Sequence, residues 1–393
     1  MYSVDGQTFG AGDLGLETVL AWAYKNHIRP MCLCSDAPVP VYVSYLGGSF
    51  VLKRMPLTGS YHAVDCSHYE PPEALSGSTE IGTTILEDPD TGFTKLDVEF
   101  SLSREPSRPM SRGATSKASS VHTARPRLSL RGLLQFLWGE GELTKWKPAF
   151  IGKRSWAVVR HHLLRAAANK VLKGQPLAHV MFVPESFTVA HKEQIAARRA
   201  RRLADGLRRP DKRQGKMIVV GEIKEIVPSR YRFNIVLKHL PDLPFSVDAN
   251  VHRRTVRSFD SELTLWRNSV DVHLMIIATF TLTDRGHPAI DEMSVLPTST
   301  QWIPADDSFE LRLINCLVQE GRSFQKVLHV NGKVPSLSPS AILLDGDSGP
   351  LGLALDRDWD CEETIAATSS ERSGSAHDWL WRIREVDLPA FPR

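Results

Sequence analysis

The chain has few cysteines, no long apolar run and little net charge. Its 393 residues contain 5 cysteines, an odd number too small for a disulfide framework. No stretch approaches the ~20 apolar residues of a membrane-spanning helix, and the first residues lack the pattern of a secretory signal. A net charge of +3 excludes a polycation. We therefore expect a cytoplasmic, reduced protein without a membrane partner, in which clustered cysteines bind metal.

Local composition divides the chain into four predicted parts. Helical and strand-like segments occur in separate runs, which is typical of an α+β fold. The parts are a zinc-binding N-terminal β-hairpin module (1–100), a flexible linker (101–127), a larger body of helices and antiparallel sheet (128–305), and a C-terminal helix, hairpin and acidic tail (306–393). The linker holds seven Ser, three Pro and six Lys or Arg, a composition that cannot bury enough apolar surface to fold.

Hydrophobic periodicity locates the individual elements. Apolar residues at spacings of three and four predict helices at about 14–26, 129–140, 154–173, 189–207, 250–266 and 308–328. Runs of β-forming residues predict strands at 41–46, 49–54, 217–226, 232–237, 274–282 and 290–298, and a late hairpin from 341–344 and 351–355. The first two strands flank Gly47-Gly48, a two-residue signal for a hairpin turn.

Cys32, Cys34, His62 and Cys66 form the strongest chemical signal. Three cysteines and one histidine are a complete ligand set for tetrahedral zinc. Cys34 precedes the glycine pair of the turn by thirteen residues and His62 follows it by fourteen, so the hairpin would return all four ligands to its open end. We predict a structural zinc site there, with His68 as a substitute ligand. The alternative is that these are ordinary buried cysteines, which behave as small apolar residues.

A basic segment and an acidic tail break the even distribution of charge. Residues 192–216 contain ten Lys or Arg and three acids, whereas residues 340–393 contain eleven acids and five Arg. Such a basic helix can neutralise the phosphates of a nucleic acid. The alternative is a solvated helix, or one that docks on the acidic C-terminal region. The residues predicted to contact DNA are Arg198, Arg199, Arg201 and Arg202.

Glu222 and Lys224 are the first candidates for catalysis, and no catalytic residue is assigned. With Asp211, they resemble the signature of restriction-like nucleases, in which two carboxylates hold Mg²⁺ and a lysine supports the chemistry. Alternating charge on an exposed strand face explains Glu222 and Lys224 equally well. A second, degenerate set of acids comprises Glu310, Asp345, Asp347 and Asp356.

Several segments carry a resemblance to one protein family. They are 27–34, 51–56, 62–66, 69–72, 130–138, 220–225 and 238–241. In these segments the chain resembles the domain of unknown function 1173 (DUF1173) family, through most of its length and less so after about residue 330. Members of that family are typically encoded on bacterial integrative and conjugative elements and plasmids. The resemblance implies this genomic setting and supports the Cys/His ligand set, but it implies no mechanism.

These observations favour a non-enzymatic accessory protein of a mobile genetic element. Its expected cofactor is structural zinc, its expected partner is DNA or another element-encoded protein, and we expect no small-molecule cofactor. A Mg²⁺-dependent restriction-like nuclease is the enzymatic alternative. A protein–protein adaptor, in which the uneven charge provides the contact, is the third hypothesis.

Overall fold

The computed structural model confirms the α+β class. It describes residues 1–46, 49–55, 58–72, 85–87, 94–102, 127–207, 215–329, 338–347, 349–357, 379–385 and 387–392. Within these ranges the chain forms eight α-helices and twenty β-strands, arranged in four sheets. The predicted linker lies outside the described residues except at its two ends. No helix in the described ranges is both long and apolar enough to cross a membrane.

The helices and strands have the following residue ranges, in chain order. The helices are α1 (Leu16–Lys25), α2 (Leu130–Glu140), α3 (Trp156–Ala167), α4 (Leu177–Val180), α5 (Lys192–Leu207), α6 (Ala249–Ser258), α7 (Asp260–Asn268) and α8 (Ser308–Gln319). The strands are β1 (Tyr2–Val4), β2 (Gln7–Phe9), β3 (Met31–Cys32), β4 (Val39–Leu46), β5 (Ser49–Arg54), β6 (Ile85–Glu87), β7 (Thr94–Leu96), β8 (Lys145–Trp146), β9 (Lys170–Leu172), β10 (Gln175–Pro176), β11 (Met181–Phe182), β12 (Met217–Pro228), β13 (Arg232–Leu237), β14 (Leu240–Asp248), β15 (Val272–Leu282), β16 (Pro288–Ser299), β17 (Phe324–Lys326), β18 (Pro339–Leu343), β19 (Leu351–Asp356) and β20 (Trp379–Arg382).

The N-terminal sheet has the strand order β2-β1-β3-β4-β5. β4 and β5 pair in antiparallel register along their length, which confirms the predicted hairpin. The sheet and α1 share a small apolar core, whose buried members among the described residues up to position 46 are Tyr2, Val4, Leu20, Ala23, Cys32, Val39 and Val41. A core of this size contributes little to stability, since burial of apolar surface is the main favourable term in folding.

A second sheet joins the segment after the N-terminal sheet to the helices. β7 pairs in parallel with β9, and Leu96 lies in one apolar core with Leu133 of α2 and Val159 of α3. The helix predicted over 154–173 ends early, because the backbone is extended at Ala168 (ψ 146°), and Asn169 then adopts a left-handed conformation with φ of 57°. Asparagine tolerates this conformation better than most residues, and the residues after it pair as β9.

Five strands of the central sheet close into a barrel. β12 pairs antiparallel with both β13 and β15. β14 pairs with β13 on one side and, in parallel, with β16 on the other, and β16 pairs with β15. Helices α6 and α7 connect β14 to β15, and α6 lies against β13, β14 and β16. The buried core of the barrel includes Ile223, Ile235, Phe245, Phe280 and Val295.

The C-terminal sheet has the order β20-β19-β18-β17-β8. β18 and β19 pair antiparallel, which confirms the predicted late hairpin. Leu313 and Leu317 of α8 pack in one apolar cluster with Phe324 and Trp381 of this sheet. β8, which lies between α2 and α3 in the chain, is the edge strand of this sheet. The C-terminal sheet is therefore continuous with the helical part.

Two further predicted helices differ from the structure, and β14 lies outside the predicted strands. The last predicted helix ends at Gln319, and β17 begins after a turn in which Gly321 has φ of 67°. The helix predicted over 250–266 is two helices that meet at Phe259, where the backbone is extended in φ (−130°). β14 was not predicted, because Pro241 and Pro244 are unfavourable inside a strand. Both prolines are exposed, as prolines in sheets usually are.

Candidate metal centre

The four predicted metal ligands come from two short segments, one at β3 of the N-terminal sheet and one in the loop after β5. Cys32 ends β3 and is only 2% exposed, and Cys34 follows it after one residue. β3 lies between β1 and β4, which fixes the position of this pair. His62 follows a single 3₁₀ turn, and Cys66 lies in the next turn.

Gly59 allows the second segment to fold back on itself. The N–H of Glu70 donates to the carbonyl of Gly59 at 3.1 Å, which closes the loop that carries His62 and Cys66. A Cβ atom at position 59 would lie 2.5 Å from the Cβ of Glu70, closer than two carbon atoms can approach. This loop therefore needs glycine at position 59.

The structure brings the four side chains together. One donor atom from each residue lies within 4.8 Å of every other. The Sγ atoms of Cys32 and Cys66 are 3.7 Å apart, and the Nδ1 atom of His62 lies 3.3 Å from Cys34 Sγ and 3.8 Å from Cys66 Sγ. Tetrahedral bonds of about 2.0–2.3 Å separate donor atoms by roughly 3.5–3.8 Å. These residues can hold a metal ion.

The electrostatics of the cluster also favour a cation. Burial, followed by the neighbouring sulfurs, raises the pKa of Cys32 to about 12, and burial raises the pKa of Cys66. Burial opposes ionisation of Cys34 as well, but the amide of Ala63, which donates to its Sγ at 3.4 Å, and the nearby thiols lower its pKa. Three sulfurs this close cannot all be thiolates unless a positive charge lies among them.

His62 and His68 have different roles. Burial lowers the pKa of His62, which favours the neutral imidazole that metals bind. The Nε2 atom of His68 lies 3.1 Å from the hydroxyl of Tyr2, and burial lowers its pKa to about 4. His68 thus packs beside the cluster and is not one of its four members. Of the other cysteines, Cys316 is on α8 and Cys361 lies outside the described residues.

A comparison with known families identifies the chain. The family model described as "Protein of unknown function (DUF1173)" matches residues 2–384, nearly the whole sequence. The chain belongs to the DUF1173 family. No curated protein and no solved structure matches this DUF1173 protein. The resemblance seen in the sequence is therefore confirmed.

The arginines of α5 in the DUF1173 protein mostly contact the protein itself. Arg198 makes hydrogen bonds of 2.7–3.1 Å to both carboxylate oxygens of Glu185. Arg199 makes two bonds of 2.7 and 2.9 Å to Asp242, and Arg202 donates to carbonyls in and just after α4. These partners come from the body of the protein and not from the acidic C-terminal region.

Arg201 differs from its three neighbours. It is exposed, and among the described residues it makes no ion pair. Arg201 can therefore reach a phosphate without giving up an internal contact, whereas the other three must exchange partners. Contact of these four arginines with DNA stays a prediction.

Glu222 accepts hydrogen bonds from two side chains that the sequence pattern did not associate with it. It is 5% exposed, and its Oε1 accepts hydrogen bonds from Nδ1 of His273 at 2.7 Å and from Nζ of Lys238 at 3.0 Å. Burial acts to raise the pKa of Glu222, but His273 and then Lys238 outweigh it, so its pKa is lowered. The His273 ring stacks on Trp302 at 4.1 Å. Pairing of β12 with β15 places Glu222 opposite Met275, two residues from His273.

Lys224 does not join Glu222. Its ion-pair partner is Glu225, at 3.8 Å on the exposed part of β12. No second carboxylate contacts Glu222 in the part of the chain that the structure describes, and Asp211 lies outside that part. A catalytic role for Glu222 and Lys224 stays a prediction.

Two members of the degenerate set of acids, Glu310 and Asp345, belong to separate ion-pair networks. Glu310 is buried and contacts Lys326 at 3.2 Å and Arg357 at 3.1 Å. These cations lower its pKa to about 2, although burial acts in the opposite direction. Asp345 instead pairs with Arg322 at 3.0 Å. Two cations thus occupy the position that a metal ion bound to Glu310 would need.

Proposed function

We propose that this DUF1173 protein is a non-enzymatic accessory protein of a bacterial mobile genetic element, with one structural zinc ion and a nucleic-acid partner. The mobile-element setting rests on where genes of this family are typically found. The zinc ion and the nucleic acid rest on two separate features of the structure.

The donor set supports zinc as the metal. Thiolate and imidazole donors select zinc or iron–sulfur chemistry over magnesium and calcium, which prefer oxygen. Four protein donors fill a tetrahedral shell and leave no position for a water or substrate, which is the arrangement of structural zinc sites. The site joins β3 to the loop after β5, where the apolar core is small. We therefore assign the zinc a role in stabilising the N-terminal sheet.

The connectivity of the barrel is the single observation that carries the nucleic-acid partner. Three strands in meander order (β12, β13, β14), a helical connection and a final hairpin (β15, β16) close through the β12–β15 and β14–β16 pairs. A five-stranded Greek-key barrel connected in this way is the OB fold, whose strands and loops bind oligonucleotides and oligosaccharides. Because one fold hosts many functions, the barrel by itself does not locate the binding surface.

The alternative hypotheses lack an equivalent observation in the described residues. Glu222 contacts Lys238 and His273 and is not paired with Lys224, so we do not propose a nuclease. An adaptor role would need a contact surface of its own, and the uneven charge is its only support.

Fluorescence anisotropy with labelled DNA tests the nucleic-acid partner. We expect the full-length protein to bind at low salt, and its affinity to fall as salt rises, with a slope of about 0.7–0.9 in log K per phosphate neutralised. If Arg201 contributes, R201Q should flatten this slope by one such increment. Failure to bind single-stranded or duplex DNA at low salt would remove the nucleic-acid function.

A further inference from the structure

A cleft lies at the end of the barrel, where α6 packs beside the start of β13. Its volume is about 600 Å³. The ring of Phe233 stacks on the ring of His252, with centroids 3.5 Å apart and planes inclined by 8°. The remaining lining residues are Ala249, Arg253, Val256, Arg257 and Asp260. The cleft therefore combines a flat aromatic wall with two guanidinium groups.

The two guanidinium groups are available to a ligand. Arg253 and Arg257 are one helical turn apart on α6, and both are exposed. Within the described residues neither forms an ion pair, in contrast to Arg198 and Arg199 of α5. α6 itself contains no acidic residue. A stripe of unpaired positive charge on a helix attracts phosphate groups.

An exposed aromatic residue precedes the cleft in the chain. Tyr231, in the turn between β12 and β13, is 76% exposed, although burial of large aromatic rings is strongly favourable. The guanidinium of Arg230 lies 5.3 Å from the centre of the Tyr231 ring. In OB folds the loop between the first two strands contributes to binding. The β12–β13 turn is the corresponding loop of this barrel.

We propose that the β12–β13 turn and the cleft beside α6 form a binding site for single-stranded nucleic acid. This inference rests on the proposed function and specifies its ligand and site. Exposed bases stack on aromatic rings irrespective of sequence, while arginines follow the phosphate backbone. Bases in a duplex are already stacked on one another, so the Tyr231 ring can be used only by an unpaired strand. Tyr231 stacks on a base, and Arg253 and Arg257 contact phosphates.

Anisotropy with a labelled oligothymidine of about 16 nucleotides, the upper site size of one OB fold, tests the site in the full-length protein. Y231A should weaken binding by about 5- to 150-fold, the range for loss of one base stack. Y231F keeps the ring and should bind like wild type. The double variant R253Q/R257Q should flatten the salt dependence by about 1.4 in slope, since each phosphate on a single strand contributes about 0.7.

A control variant removes one positive charge elsewhere on the surface. Arg165 is exposed on α3, where it makes no ion pair among the described residues, and R165Q should leave affinity and slope unchanged. Wild-type melting temperatures in all variants would show that the fold is intact.

Each contrary result has a distinct meaning. If wild type binds DNA but Y231A and R253Q/R257Q bind equally well, the site is wrong and the proposed function stands. If wild type binds no DNA at all, the proposed function fails and the site with it. Equal affinity for a duplex, or for thymidine monophosphate alone, would overturn the preference for a single strand.

Discussion

Loss of one ligand of the proposed zinc ion should unfold the N-terminal sheet and leave the rest of the protein folded. Cys34 is the best position for this test, because it is partly exposed and its replacement by serine disturbs packing less than replacement of Cys32. Cys34 and His62 are 28 positions apart in the chain. In the chain-entropy treatment of cross-links, closing a loop of that length stabilises the folded state by about 3–4 kcal/mol.

The small core of the N-terminal sheet makes this loss decisive. Its buried apolar residues among the described positions up to 46 are Tyr2, Val4, Leu20, Ala23, Cys32, Val39 and Val41, and one fully buried large side chain contributes only about 1.5–3 kcal/mol. We therefore expect amide hydrogens of β4 and β5 to exchange rapidly in C34S. Those of β12 and β15, in the closed barrel, should exchange at the wild-type rate.

Elemental analysis and hydrogen exchange measured by mass spectrometry provide the two readouts. Wild type should contain about one zinc per chain and C34S none. C316S is the matched control, since Cys316 on α8 is partly buried but lies outside the metal cluster. Unchanged zinc content in C34S, or loss of zinc without faster exchange in β4 and β5, would refute the reasoning.

Two further predictions concern stability. E310Q leaves the charge of Lys326 uncompensated and should cost about 3–5 kcal/mol at pH 7. The pKa of Glu310 is lowered to about 2, so the carboxylate contributes its full stabilisation above its ordinary pKa near 4.5 and loses it as pH falls towards 2. Urea unfolding across this range should therefore show that the free energy of unfolding falls less steeply with pH in E310Q than in wild type. W138F removes the hydrogen bond from Trp138 Nε1 to the Trp302 carbonyl at 2.9 Å and should cost about 1–3 kcal/mol in the same assay, whereas an unchanged midpoint would contradict this assignment.

The sequence by itself determined features that depend on short segments. The glycine pair with its flanking β-forming runs specified the β4–β5 hairpin, since turn chemistry and side-chain alternation act over a few residues. The spacing of Cys32, Cys34, His62 and Cys66 around that hairpin was enough to predict that they meet. Donor chemistry is a property of residue type, so the ligand set required no knowledge of the remaining fold.

Only the tertiary structure decided how distant segments combine. The partners of Glu222 are 16 and 51 positions away in the chain. Pairing of β12 with β13 brings Lys238 to it, and the β12–β15 pairing that closes the barrel brings His273. Helix α3 ends where Asn169 turns and β9 finds β7 as a partner, which helical periodicity cannot reveal. The same holds for charge, since α5 and α6 are both rich in arginine. Acids from elsewhere in the fold pair with Arg198 and Arg199, whereas Arg253 and Arg257 form no ion pair within the described residues. Charge in a sequence is fixed by composition, whereas its availability to a ligand is fixed by packing.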